Sequence, residues 1–156
     1  MVKGKKVGAV KKSGAGKKVG GVKAAASGGG DLDMVFDELQ SLLAEHAPPF
    51  KVTKGMVRNK RDYHLTVPMP VVISPKHYGG KPYPVAMGSL ILQKGYVGFY
   101  YTPMDAEAKQ KLKPELEKLR KGGCCYHVKG LTPEIKEGVK EALELGEKSF
   151  RGKGWV

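Results

Sequence analysis

The first thirty residues of this chain have a composition that works against a folded core. Residues 1–30 contain eight lysines, nine glycines and no acid, and the octad at residues 4–11 recurs with one change at residues 16–23. Glycine raises the entropy cost of ordering the backbone, and the segment has too little apolar surface to offset that cost. We therefore expect residues 1–30 to be a disordered basic tail and residues 31–156 to form one domain.

The tail carries most of the positive charge. Of the net charge of +13, the tail contributes +8. Lysine-rich segments attract polyanions through counterion release, without base specificity. A nucleic-acid-associated protein is therefore one function that the sequence predicts. The candidate polyanion-binding residues are tail lysines and a second basic run: Lys5, Lys6, Lys11, Lys17, Lys18, Lys23, Lys51, Lys54, Arg58, Lys60 and Arg61. An exposed hairpin that protects a sheet edge is the alternative interpretation of the second run.

Cysteine content and hydropathy bear on the compartment. Cys124 and Cys125 are the only cysteines and are adjacent, so we expect no disulfide framework and an intracellular, cytoplasmic location. We interpret one of the two as a small core residue. No apolar run reaches the length of a membrane span, and the tail lacks the apolar stretch of a secretory signal. Its composition leaves organelle targeting open.

Apolar spacing in residues 31–156 predicts an α+β domain. Apolar side chains recur at helical intervals from Leu32 to His46, and Pro48 and Pro49 end that helix. Residues 71–74 lie between prolines and favour an edge or a short bridge. Five other segments alternate or are rich in β-branched and aromatic residues, which is typical of strands: 50–56, 63–67, 85–93, 96–102 and 124–128.

Prolines and caps place the remaining helices. Pro114 would break a hydrogen bond in the middle of a helix, so residues 105–120 are predicted to form two short helices. Thr132 and Pro133 are a typical N-cap and first helical position, and they open a C-terminal helix. We expect Trp155 to fold back onto the core.

Three segments follow one another in a recognisable order: the loop at 78–84, the strand and Thr-Pro pair at residues 96–103, and the Gly-Gly-Cys-Cys-Tyr-His-Val segment at 122–128. On these motifs, residues 34–155 resemble the YdhG-like family, a domain of unknown function numbered 1801. Most of that family has no assigned activity, but an iron-chaperone role is attached to a branch similar to the frataxin-type fold. The resemblance implies a binding protein for a small ligand or for iron. The family's strand histidine falls on Tyr100, so a metal role there does not carry over.

One candidate metal site lies on the first helix. Asp33 and Asp37 are four residues apart on one face, and Glu38 is adjacent. Carboxylate oxygens of this kind could hold iron, as the frataxin comparison implies. The alternative is that these acids simply match the positive end of the helix dipole. The sequence requires no cofactor.

A candidate ligand pocket involves an aromatic loop. His77 and Tyr78 lie in a Gly-Pro loop, where functional groups concentrate, and Tyr83 and Tyr100 are the other tyrosines assigned to this pocket. The alternative for the tyrosines is a half-buried sheet face, which aromatic residues favour. The sequence has no catalytic signature, and we expect a non-enzymatic protein.

Overall fold

The computed structural model describes residues 31–156, so the predicted tail and its six candidate polyanion-binding lysines lie outside the described residues. The fold is α+β, as predicted. A short 3-10 turn spans His77–Gly80. In chain order the helices and strands are α1 Leu32–Ala44, β1 Lys51–Thr53, β2 Asp62–Thr66, β3 Ala86–Gln93, β4 Tyr96–Tyr101, α2 Ala106–Gln110, α3 Pro114–Glu117, β5 Cys125–Val128 and α4 Pro133–Gly152.

The strands form one antiparallel sheet in the order β1-β2-β3-β4-β5. Neighbours in sequence are therefore neighbours in space, as is usual for consecutive strands. Lys94 and Gly95 form the β3–β4 turn, where Gly95 has a φ of 96°. The strand predicted at residues 50–56 is only three residues long, because residues 55–57 turn to place backbone amides on the Asp62 carboxylate.

The helices pack against one face of the sheet. Leu90, Phe99 and Tyr126 occupy neighbouring strands, are buried and belong to the core that the helices complete. Gly88 permits a close approach, since a Cβ there would lie 3.3 Å from a methyl carbon of Leu143 on α4. The helices therefore hold the hydrophobic core against this face.

Alternate side chains of the strands point away from the helices, and we call their surface the open face. Directly opposed residues on paired strands share a face. Through the strand register the open face carries two rows, Thr53-His64-Ser89-Tyr100-Cys125 and Asp62-Ile91-Gly98-His127.

Caps and prolines act where the sequence predicted. Asp31 and Thr132 accept hydrogen bonds from the backbone amides of Asp33 and Ile135. The segment 105–120 divides at Pro114 into α2 and α3. Trp155 packs edge-on against Phe150 with ring centroids 5.5 Å apart, as expected.

Residues 71–74 form the short bridge that their flanking prolines predict, in which Val71 and Tyr83 exchange backbone hydrogen bonds of 3.1 and 3.0 Å. The two cysteines show the limits of local pattern. The interpretation of one cysteine as a core residue is wrong: Cys124 is exposed, and Cys125 lies half-buried on the open face. Cys125 alternates with the buried Tyr126, so it points away from the core.

The outer edge of β5 is covered by the chain that precedes it. The amide of His127 donates to the Leu119 carbonyl at 2.9 Å, and the amide of Lys121 donates to the Cys125 carbonyl at 2.8 Å. At the other end of the sheet, β1 offers only three residues.

Candidate functional site

A cavity of about 630 Å³ lies at the end of the sheet where β4 leaves and β5 begins. We call it the tyrosine cavity, because four tyrosines from three parts of the chain line it. The other lining residues come from the 73–78 loop, the β4–α2 connection, α2 and the segment before β5. The tyrosines are Tyr78, Tyr83, Tyr101 and Tyr126. Its volume lies within the range of small-molecule sites.

One wall of the cavity is the aromatic loop that sequence analysis singled out. The bridge between Val71 and Tyr83 closes this loop at its base. Tyr78 has a φ of 50°, a left-handed conformation, and its ring lies 4.3 Å from the Tyr83 ring, centroid to centroid. His77 is held by a 2.8 Å hydrogen bond between its Nδ1 and the Ser74 hydroxyl. The loop is therefore fixed by a bridge, a ring contact and a side-chain hydrogen bond.

Two cations border the cavity. Arg120 lies over the Tyr126 ring with its guanidinium carbon 5.8 Å from the centroid. It also donates to the Glu117 carboxylate, and this hydrogen bond raises the pKa of Arg120. Lys109 is exposed on α2. Among the described residues that line the cavity none is acidic, so its charged lining groups are these two cations, of which Arg120 is paired with Glu117.

Tyr101 contributes a polar group without a partner. Its side chain is buried, and within residues 31–156 its hydroxyl makes no hydrogen bond. Burial raises the pKa of Tyr101, and the neighbouring Tyr126 raises it further. A buried polar group without a partner costs stability and is rare in native proteins. Such a group beside a cavity is a candidate contact for a ligand.

The structure brings three of the four predicted pocket residues together. His77, Tyr78 and Tyr83 line the cavity, whereas Tyr100 lies on the open face and does not. Tyr101, one residue later, takes the cavity position. Sequence analysis left Tyr101 and Arg120 out of this pocket, since strand alternation and a charge before a glycine pair do not by themselves show that a residue faces a cavity.

The three candidate metal ligands are not gathered into one site. Arg61 bonds the carboxylates of Asp33 and Asp37, and its guanidinium carbon lies 4.1 Å from the Phe36 ring centroid. Glu38 pairs separately with Lys136 at 3.1 Å. Iron at these positions would compete with two cations of the chain itself.

The described part of the chain, residues 31–156, contains no group of three or more His, Cys, Asp or Glu side chains that could hold a metal ion. Iron binding at Asp33, Asp37 and Glu38 therefore stays a prediction that rests on the family resemblance.

The second basic run is divided among different surroundings. Lys51 pairs with Thr66 and so lies on the open face, and the Lys60 ammonium bonds the Gln93 side chain there. Lys54 lies over the Tyr63 ring at 5.5 Å, and Arg58 is exposed in the β1–β2 loop. Hydrogen bonds to Asp37 and Asp33 raise the pKa of Arg61, which is committed to α1.

A buried line of hydrogen bonds on the open face had no signal in the sequence analysis. The Ser89 hydroxyl and His64 Nδ1 are 2.8 Å apart, and His64 Nε2 is 3.0 Å from the Asp62 carboxylate. The order of groups is that of a nucleophile, a base and an orienting acid. These residues do not line the tyrosine cavity. The geometry supports a structural role, in which these side-chain hydrogen bonds link β2 to β3.

Comparison with known proteins finds no match for this chain among protein-family models, curated proteins or solved structures. The resemblance to the YdhG-like family therefore stays a prediction. Within residues 31–156, no helix has the length and apolar character needed to cross a bilayer.

Proposed function

We propose that this protein binds a small molecule that has an aromatic or apolar body and one anionic group, and that the tyrosine cavity is its site. The observation that carries the proposal is the combination of tyrosine walls, a positive border and an unpartnered hydroxyl in one cavity. Ligand sites typically combine mostly apolar walls with a few polar groups that fix orientation.

Each part of the cavity suits one part of such a ligand. The Tyr78 and Tyr83 rings offer aromatic surface for a flat body. Lys109 and Arg120 suit a carboxylate, sulfonate or phosphate, because charge-assisted hydrogen bonds are about twice as strong as neutral ones. The Tyr101 hydroxyl suits a hydrogen-bond acceptor.

Binding without chemical transformation is the simplest role for this cavity. Its lining has aromatic rings, cations, His77 and the exposed Cys124, but Asp62, His64 and Ser89 lie outside it. A nucleophile, a base and an orienting acid in one place would favour catalysis, and none of the described lining residues is acidic. We therefore propose a binding or carrier function.

The test uses three probes of one shape and different charge: 2-naphthoate, 2-naphthylmethanol and 2-naphthylmethylammonium. Calorimetric titration of the full chain should show the tightest binding for the carboxylate and the weakest for the ammonium. Equal affinity for all three, or no binding of naphthoate, would refute the proposal.

Charge variants locate the site. Replacing Lys109 or Arg120 by Gln should weaken naphthoate binding about tenfold each, which corresponds to one charge-assisted hydrogen bond. Lys111→Gln is the matched control, because Lys111 is a nearby exposed cation that does not line the cavity. If the control loses as much affinity as the other two variants, the ligand binds by general charge and not in the cavity.

A further inference from the structure

The open face carries three aromatic rings, two stacked on each other and one lying over a strand glycine. The Tyr96 ring stacks on the His127 imidazole with centroids 3.7 Å apart and planes 13° apart. The Tyr100 ring covers Gly98: a Cβ built on Gly98 would lie 2.9 Å from Tyr100 Cε2 and 3.4 Å from its Cζ. Glycine at this position therefore allows the ring to lie down along the strand. Tyr96, Tyr100 and His127 are all half-buried, so part of each ring is accessible.

The charges on this face favour a polyanion. Lys51 and Lys60 are exposed cations on this face. Lys51 lies there because it is paired with Thr66 in the strand register, and Lys60 because its ammonium bonds the Gln93 side chain. Among the strand residues of the open face the only acid is Asp62, whose side chain is 2% exposed and accepts backbone hydrogen bonds. The accessible charge of this face is therefore positive.

The centre of the open face is polar, which argues against a protein partner. Thr53, His64 and Ser89 lie along one row, and Ile91 is the only aliphatic side chain larger than alanine among the strand residues that point to this face. Interfaces between copies of a protein bury an apolar centre. Proteins that bind single-stranded nucleic acid instead combine two features, aromatic rings on which bases stack and cations that contact the phosphates. The open face has both.

We propose that the open face binds single-stranded nucleic acid, with bases stacked on Tyr96, Tyr100 and His127 and the phosphate backbone beside Lys51 and Lys60. Stacking requires bases that are not already paired, whereas the charge of a lysine-rich tail attracts single strands and duplexes alike. The proposal is independent of the tyrosine cavity, which opens at a different part of the sheet.

The experiment measures fluorescence anisotropy of labelled oligonucleotides with the full chain. The probes are oligo-dT and oligo-rU of about twelve nucleotides, together with a duplex of equal length. We expect single strands to bind more tightly than the duplex. Preference for either DNA or RNA single strands supports the proposal, and equal or tighter duplex binding overturns it.

Ring variants separate stacking from charge. Replacing Tyr96 and Tyr100 by Leu removes both π-faces, and affinity should fall about fivefold or more for each ring. The corresponding Phe variants keep the rings and should bind like the original protein. Tyr78→Leu is the matched control, since Tyr78 is 64% exposed but lies in the cavity loop. Each single Leu variant is also measured, so a double variant that fails to fold does not remove the test.

Charge variants give a second readout. Lys51→Gln should reduce the slope of log affinity against log salt by about one, the value for a single lost phosphate contact. Lys54→Gln should leave that slope unchanged, because Lys54 lies over Tyr63 on the other face. Unchanged affinity in the Leu variants overturns the proposal. The proposal is also overturned if a Leu variant loses self-association in sedimentation but keeps its affinity for oligonucleotides.

Discussion

At Asp62, the replacement of a single side-chain atom should measurably lower the free energy of unfolding. Its carboxylate accepts from the amides of Gly55 at 2.6 Å and Val57 at 2.7 Å, and it lies 3.0 Å from His64 Nε2. In Asp62→Asn the size is kept, but the charge is lost and one oxygen becomes an NH₂ group. That group would face backbone donors that it cannot satisfy.

The magnitude follows from the pKa of Asp62. Burial alone would raise that pKa, but the hydrogen bonds from His64 and the backbone amides outweigh it and lower the pKa from 3.8 to about 2. A shift of nearly two units corresponds to about 2 kcal/mol of stability. For a domain of this size the loss would lower the melting temperature by about 4 to 8 °C.

The sign of the pH dependence is fixed by the direction of the shift. A lowered pKa in the folded state means that the carboxylate stabilises the fold above pH 3.8, its ordinary pKa. That contribution is lost as the pH falls from about 4 to about 2. The difference in unfolding free energy between the original protein and Asp62→Asn should therefore be largest at neutral pH and decrease as the pH falls from about 4 to about 2.

Urea unfolding followed by Trp155 fluorescence measures this difference at neutral and acidic pH. Glu107→Gln is the control, because Glu107 also has a lowered pKa, caused by its hydrogen bond to Lys111, but is exposed. Exposed pairs contribute little, so the control should unfold like the original protein. Equal stability of the two variants would refute this account of Asp62. A stability gap that does not change between pH 7 and pH 3 would refute it as well.

Two further predictions concern the core. Gly146→Ala should lower the free energy of unfolding by about 1–3 kcal/mol, because its Cβ would lie 2.7 Å from the Met87 sulfur and 2.8 Å from Tyr101 Cε2. Gly152→Ala on the same helix meets nothing within 4 Å and should be neutral or stabilising, so urea unfolding of the pair separates overpacking from helix propensity. Tyr101→Phe should raise stability by up to about 1 kcal/mol in the same assay, since it removes the unpartnered hydroxyl. The same variant should bind naphthoate more weakly, and a loss of both stability and affinity would contradict the role given to that hydroxyl.

The elements of the fold were predictable because their signals are local. The helical spacing of α1, the strand patterns at 85–93 and 96–102 and the proline at position 114 each act over a few residues, and all three elements appear where expected. The β1–β2 loop was not predicted, since its shape depends on amides that bond Asp62.

The site was only partly predictable, because faces of a sheet are decided by distant contacts. Tyr100 and Tyr101 are adjacent, and strand alternation places them on opposite faces. Which of the two reaches the cavity depends on the face that α1 and α4 cover, and the strand sequence does not state it. The same limit applies to Asp33 and Asp37. Their shared helix face was correctly predicted, but their partner Arg61 lies 28 and 24 residues away.

The covered edge of β5 restricts how any partner can join this domain. Residues 119–121 already use backbone groups of His127 and Cys125, so an incoming strand would first have to displace them. At β1 a new strand would find only three residues to pair with. Growth of the sheet by strand addition, whether by a peptide ligand or by an aggregating copy, is disfavoured at both ends. Recognition by this domain should therefore depend on side chains and not on backbone pairing.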